Sequence, residues 1–226
     1  MIERTAKWLR LAQAQALDAR AATELSRLGL PFLPWTSSSL RPAAMWQLLN
    51  EVIINQRLRV VELGAGVSTL AFAKVLGPLG GRLISIEDDA GWAQMVRGLL
   101  AQHGLGEAVT IVEAPLAPCA AAADGLAWFS SDAVASALSG FEIDLLLVDG
   151  PKAIAPGHAL ARLPAWPMLC THMAARSAIA LDDAARDGER EVMRRWQADP
   201  AFDFSVAMQA SGIALATRGA AFNTAP

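Results

Sequence analysis

The stretch Val60–Leu70, reading VVELGAGVSTL, constrains this chain more than any other. Two valines lead into an acidic residue, Glu62, and then into a glycine turn, Gly64-Ala65-Gly66. From Val67 the sequence can start a helix, with Ser68 or Thr69 as its cap. A strand that turns on glycines into a helix lets backbone approach a ligand and offers it free N–H groups. The dinucleotide fingerprint Gly-x-Gly-x-x-Gly would need a third glycine where this chain has Thr69. The turn therefore points to a nucleotide-type site, and the residues downstream decide which ligand it serves.

Strand-like and helix-like segments alternate on both sides of this turn. Residues 3–28 read as one helix, closed by Gly29 and Pro31. A Pro/Ser-rich loop over residues 31–39 follows, and Ser39 is placed to cap a helix from Pro42 to about Asn55. Apolar runs at 58–63, 82–87, 108–113, 143–149 and 177–181 have strand length. Between them, Phe72, Val75 and Leu76 share one helix face, and Trp92, Met95, Val96, Leu99 and Leu100 share another. Residues 117–140 carry weak helical signals, and 159–175 reads as helical. Residues 202–208 and 213–217 flank a short Gln-Ala-Ser-Gly connection, which predicts a closing hairpin. The order is that of a Rossmann-like, doubly wound α/β fold with a mainly parallel sheet. Residues 1–56 form an N-terminal helical segment, and residues 57–226 form one compact domain.

Composition narrows the partners. The net charge of −3 gives no electrostatic reason to expect nucleic acid. No apolar run is long enough to span a membrane, and the opening residues Met1–Trp8 lack the continuous apolar core of a secretion signal. Two distant cysteines, Cys119 and Cys170, suit reduced thiols in a cytoplasmic protein, packed as small apolar residues.

In such folds ligands sit at the carboxyl ends of the strands. There this chain places Gly64 and Gly66, then Glu87-Asp88, Ala114-Pro115-Leu116, Asp149-Gly150-Pro151-Lys152 and Asp182-Asp183. Each alone could be a turn or a cap; five consecutive strand ends are harder to dismiss. Glu87 stands where a second-strand carboxylate accepts both ribose hydroxyls of a nucleoside. Glu62 could hold a ligand ammonium, directly or through water, or could simply pair with neighbouring N–H groups. Acidic residues beside the turn suit a positively charged ligand better than a pyrophosphate.

This arrangement resembles the class I methyltransferases that use S-adenosylmethionine. Val60–Thr69 is similar to their glycine-rich motif, residues 84–89 to the second-strand acidic motif, and residues 144–151 to the fourth-strand motif. A bacterial subgroup resembles it further in Gly-x-Ser-Thr, Trp92, Val148–Pro151 and Asp182–Arg186. The resemblance implies a seven-stranded sheet with a reversed last hairpin, and N-terminal helices over the cofactor. Its cofactor residues would be Glu62, Gly64, Ala65, Gly66, Ser68, Thr69, Glu87, Asp88, Pro115, Leu116 and Asp149. The acceptor would be a small molecule, by subgroup resemblance a sugar or natural-product hydroxyl.

Asp149, Asp182 and Asp183 offer oxygen ligands that suit Mg²⁺, Ca²⁺ or Mn²⁺. Catechol-type relatives hold a divalent ion at these strand ends, though with Asp-Asn where this chain has Asp182-Asp183. The alternative is that the pair caps the following helix, with Arg186 neutralising it. Lys152 follows Asp149 at the catechol-type spacing and is a candidate base, with His158 the runner-up. His103 and His172 read as a helix-end and a mid-helix residue. A cofactor-binding scaffold without activity and an NAD-dependent oxidoreductase stand as alternatives; the oligomeric state is not legible.

Overall fold

A computed structural model describes the backbone of residues 2–226, and the side chains of all of these except 2–7 and 10. The reading of Met1–Lys7 thus rests on side chains outside the described residues. The described residues form nine strands and seven α-helices. The strands are β1 Arg59–Leu63, β2 Arg82–Glu87, β3 Val109–Glu113, β4 Leu116–Pro118, β5 Ala127–Phe129, β6 Ile143–Val148, β7 Met173–Leu181, β8 Ser205–Met208 and β9 Ala214–Arg218. The helices are α1 Ile2–Ser26, α2 Pro42–Ile54, α3 Val67–Leu76, α4 Ala90–Gln102, α5 Ser131–Ala137, α6 Ala165–Leu169 and α7 Asp187–Gln197.

Seven strands form one sheet in the order β3-β2-β1-β6-β7-β9-β8. The first five run parallel; β9 is antiparallel to β7 and β8 to β9, which is the expected reversed hairpin. The central strands are mainly apolar because both faces are covered, with Glu62 and Ser85 the buried polar exceptions on β1 and β2 short of the strand ends. Successive residues face opposite sides. Val60, Leu145, Leu147, Ala178 and Ala180 join Leu48, Val52, Leu70, Phe72 and Val96 from α2, α3 and α4. Val61, Leu63, Leu146, Val148 and Ile179 join Val134, Trp166, Val192 and Trp196 from α5, α6 and α7. Among the described residues no helix is long and apolar enough to cross a membrane. Cys119 and Cys170 are free and half-buried.

Several local expectations are corrected. Ser39 does not cap α2: its hydroxyl accepts from the Thr36 N–H at 2.9 Å and shapes the preceding loop. The carboxylate that serves α2 comes from α1, where Asp18 accepts from the Ala43 N–H at 3.1 Å and pairs with Arg41 at 2.8 Å. The N-cap position of α3 is Gly66 and not Ser68; Thr69 contributes from the third helical position, where its hydroxyl accepts the Gly66 N–H at 2.9 Å. Residues 117–140 hold a short antiparallel pair, β4 with β5, before α5. The 159–175 segment is helical only over Ala165–Leu169 and the following 3₁₀ turn Cys170–His172: residues 159–164 form turns up to Pro164, and β7 begins at Met173. His172 accordingly lies in a 3₁₀ turn ahead of β7, while His103 ends α4 as read.

That turn-rich segment is pinned from α7. The Trp196 indole N–H donates to the Leu163 carbonyl at 2.8 Å. Gly188 lets α7 approach so closely that a Cβ there would stand 2.4 Å from the Ala159 carbonyl. Trp166 packs edge-on against Phe202 and Phe204, with centroids 4.9 and 5.7 Å away. Trp196→Phe keeps an aromatic ring but leaves the part-buried Leu163 carbonyl without its donor. We expect a loss of about 1–3 kcal/mol in urea unfolding, with ligand binding at the β1 and β2 ends unchanged by calorimetry.

Candidate active site

The ends of β1, β2 and β6 open onto one cleft. Its walls are Gly64–Ser68, Glu87–Asp89, Trp92, Asp149–Lys152 and, from the N-terminal loop, Thr36 and Ser38–Leu40. Gly64 has φ +97, which favours glycine, and its N–H donates to the Ile86 carbonyl at 2.8 Å. The turn also lies close to the β6 end: a Cβ on Gly150 would sit 3.1 Å from the Leu63 carbonyl.

Glu87 is the organising carboxylate of this cleft. One oxygen accepts the Ala65 N–H and the other the Asp89 N–H, both at 2.9 Å. These bonds tie the β1 turn to the β2 end, and each oxygen keeps further acceptor capacity. Burial raises the Glu87 carboxyl above its usual range, against the lowering by Asp89 and Ala65 N–H groups. Trp92 spends its indole N–H on the Ala65 carbonyl at 2.7 Å, so it offers the cleft a ring. Asp88 is raised by burial, and the Lys152 charge works in the opposite direction.

Glu62 lies behind the wall. It is fully buried, and its carboxylate accepts the Thr69 hydroxyl at 2.6 Å and the Ser85 hydroxyl at 2.8 Å. The Thr69 hydroxyl in turn accepts the Gly66 N–H at 2.9 Å. Glu62 and Thr69 therefore brace the glycine turn from below, and the geometry does not bring Glu62 to the cleft surface. Burial pushes the Glu62 carboxyl up to about 7, with hydroxyls from Ser68, Thr69 and Ser85 offsetting part of the shift.

Of the residues singled out from sequence, Gly64, Ala65, Gly66, Ser68, Glu87, Asp88, Asp149 and Lys152 meet at the cleft. Pro115 and Leu116 do not line it; they lead into β4, and the Pro115 carbonyl accepts the Ser130 N–H at 3.0 Å. His158 is exposed on the following loop, its Nδ1 3.1 Å from the Pro156 carbonyl, and is also outside the lining. The covering wall is the loop at 36–40, where the resemblance implied the N-terminal helices themselves.

Asp149, Asp182 and Asp183 do converge: one carboxylate oxygen from each lies within 4.8 Å of the others. They do not cap a helix, because α7 starts only at Asp187, after Arg186. Arg186 does pair with Asp183, at 2.7 Å. Burial first, and then the Asp182 charge, raise Asp149 well above the usual range. Burial and the Asp183 charge push Asp182 up to about 6.

One residue in the cluster has no counterpart in the sequence reading. Arg162 is 3% exposed, and its Nη2 lies 3.0 Å from the Asp149 carboxylate and 3.3 Å from that of Asp183. It sits in the stretch misread as helix, where a single arginine among alanines, leucines and a proline carries no motif. Trp92 was visible in the motif but not as a wall, and the 36–40 loop gave no signal beyond its serines.

A family profile described as a methyltransferase domain matches residues 61–184. The chain belongs to that family. No curated protein matches it. Similar solved structures include the SAH-bound methyltransferase PaMTH1 of Podospora anserina, with TM-score 0.62, 16% identity and 97% of each chain covered. The Bacillus cereus O-methyltransferase in complex with SAH gives TM-score 0.53 at 16% identity over 90% of this chain and 91% of that one. The O-methyltransferase TomG of Streptomyces achromogenes, in complex with SAM, gives 0.52 at 18% identity over 90% of each. These likenesses share the fold. The expectation of a methyltransferase is met, and the oxidoreductase alternative is set aside.

The buried Glu62 carboxyl supplies a check on this geometry. Its folded pKa of about 7 stands above the ordinary 4.5, so between those values the folded protein holds a proton that the unfolded chain has released. Its contribution to stability therefore falls as pH rises from about 4.5 to 7. Glu62→Gln keeps an acceptor for Thr69 and Ser85 and has no proton to lose. Urea unfolding in chelator, wild type against variant, should show wild type losing up to ~3 kcal/mol more across that window.

Proposed function

We propose that this methyltransferase carries a methyl group from S-adenosylmethionine to a hydroxyl oxygen of a small polar acceptor, a sugar or natural product. Asp149 carries the reading, because it is at once a wall of the β1–β2 cleft and a member of the acidic cluster at the β6 and β7 ends. One side chain thus joins the place for a cationic donor to the place for an acceptor. Residues 1–56 act as a cap whose 36–40 loop covers the donor, in a domain of residues 57–226.

The roles follow from the cleft. Glu87 accepts the ribose hydroxyls with the acceptor capacity left after Ala65 and Asp89. Trp92 and Asp88 flank the nucleoside. Backbone at Gly64–Gly66 and the Ser68, Ser38 and Ser39 hydroxyls serve the amino-acid end, and Glu62 acts on it through the turn it braces. A sulfonium methyl needs little activation, so in-line alignment of donor and acceptor supplies most of the catalysis. Lys152, at the cleft mouth beside Asp149, is the first candidate to take the acceptor proton, ahead of the outlying His158.

The cluster at Asp149, Asp182 and Asp183 also fits a divalent cation. All donors are carboxylate oxygens, and opposite ligands around Ca²⁺ or Mg²⁺ stand about 4–5 Å apart, which matches their 4.8 Å spread. Among the described residues, the cationic side chains paired with Asp149, Asp183 and the adjoining Glu189 are Arg162 and Arg186; with these three and Asp182 ionised, two negative charges are left over. Such an ion, when bound, acidifies a coordinated hydroxyl. The protein's own part is to hold the three carboxylates together and to aim the acceptor across Asp149 toward the cleft.

Calorimetry should show S-adenosylhomocysteine binding far more tightly than NAD. Glu87→Ala should weaken it by about 1.5–3 kcal/mol, roughly 10- to 150-fold; unchanged affinity would remove Glu87 from the ribose site.

Methyl transfer to a panel of hydroxylated sugars and phenols, followed as S-adenosylhomocysteine release, separates an enzyme from a cofactor-binding scaffold. If the cation reading holds, a chelator abolishes that release and Mg²⁺ or Mn²⁺ restores it. Asp182→Ala then lowers turnover at least tenfold with little change in S-adenosylhomocysteine affinity. Full turnover in chelator would end the cation reading.

A further inference from the structure

The guanidinium of Arg162 makes contacts that the reaction as described does not use. Its Nη2 donates to the Asp149 carboxylate at 3.0 Å and to the Asp149 carbonyl at 2.9 Å. Its Nη1 donates to the Asp182 carbonyl at 3.1 Å, and its Nε points at the Pro151 carbonyl at 3.5 Å. The Asp183 carboxylate lies 3.3 Å from Nη2 and the Glu189 carboxylate 3.5 Å from Nη1. One planar fork thereby spans the ends of two parallel strands, β6 and β7, and touches main chain and carboxylate at once. A lysine, with one point charge and no fork, could not make this set.

We propose that Arg162 is a positioning residue for methyl transfer: a resident cation that orients Asp149 and Asp183 and sets how strongly their cluster draws a divalent ion. This rests on the cation reading above. The logic is one of charge. Once a bound cation has displaced their protons, the four carboxylates hold an excess of two negative charges over Arg162 and Arg186, which one divalent ion balances. Without Arg162 the excess becomes three. The ion-free protein is then held together less well, because buried carboxylates repel without their counter-charge. The same change makes the cluster a stronger site for a cation. Arg162 therefore trades ion affinity for a site that is already formed before the ion arrives.

The test uses the full chain with Mn²⁺ as probe. Thermal unfolding is followed in chelator and in Mn²⁺, and binding is measured by the loss of the free Mn²⁺ paramagnetic signal. The proteins are wild type, Arg162→Met, Arg162→Lys and, as a control, Arg57→Met. Arg57 is equally buried, pairs with Glu51 at 3.5 Å and precedes β1 at the opposite end of that strand. The expected result is that Arg162→Met melts lower than wild type in chelator and gains at least twice the wild-type rise from Mn²⁺. Its Mn²⁺ affinity should be at least tenfold tighter, because even a water-like dielectric gives one unit charge roughly 5 Å from a divalent ion that much effect. Arg162→Lys should keep near wild-type affinity while melting lower. Arg57→Met should melt lower with no extra gain from the ion.

Equal Mn²⁺ rises in wild type and Arg162→Met, with equal affinities, would reduce Arg162 to a structural residue and overturn the proposal while leaving the cation reading intact. Mn²⁺ binding to Arg162→Met but not to wild type would overturn the cation reading and, with it, the proposal that rests on it. Binding to neither overturns both. Should Arg162→Met not fold in chelator, refolding from urea gives the same comparison. Recovery only with Mn²⁺ supports the proposal, and no recovery with it overturns it.

Discussion

The Asp149 N–H donates to the Leu63 carbonyl at 3.1 Å, one step past the last paired residues of β6 and β1. That bond belongs to the parallel ladder, yet it places the first residue of the β6 loop against the glycine turn of β1. Everything polar in the site is arranged around this junction. Glu87 reaches across from β2 to hold Ala65, and Asp182 repeats the pattern one strand further out, its N–H on the Val148 carbonyl at 3.1 Å. Parallel strands end with their chain directions aligned, so side chains from distant parts of the sequence gather on one edge.

The gathering has an electrostatic cost. Glu62, Glu87, Asp149 and Asp182 are all raised by burial before any neighbour acts on them. The structure answers in two ways. Near β1 and β2 it uses neutral donors, the hydroxyls of Thr69 and Ser85 and the N–H groups of Ala65 and Asp89. Near β6 and β7 it uses guanidiniums, Arg162 and Arg186. In the proposed function, neutral donors leave the first region to a cationic donor molecule, and guanidiniums that only partly balance the second leave it to a hard cation.

Much of this was legible in the sequence because β1, β2 and β6 write their burial and their ends directly into residue order. Apolar runs closed by Glu-Leu-Gly, Glu-Asp and Asp-Gly gave the strands, and the rule for α/β sheets gave the edge. Illegible were the contacts made between elements. Asp18 serving α2 comes from another helix, Arg162 comes from a proline-broken turn, and Thr36 to Leu40 become a wall only through folding back. Glu62 shows a subtler gap. Its position was clear, but that it faces Thr69 and Ser85 depends on which side of β1 each residue takes. The β4–β5 pair was missed because strands of three residues are too short to show alternation.

The loop that walls the cleft at 36–40 leads into α2, and α2 is fastened to the other end of the sequence. The Ser211 hydroxyl in the β8–β9 turn donates to Gln47 at 2.6 Å, and Gly212 leaves room there for Arg41, whose Nη1 would stand 2.9 Å from a Cβ at that position. Asn50 reaches the Thr224 carbonyl at 3.1 Å. During synthesis, therefore, the glycine turn and its acidic neighbours emerge long before their wall is anchored. Contacts so distant in sequence form late and cooperatively. A growing chain has the walls of β1 and β2 but no closed pocket until the β8–β9 hairpin is made, so the closed cleft arrives together with global folding.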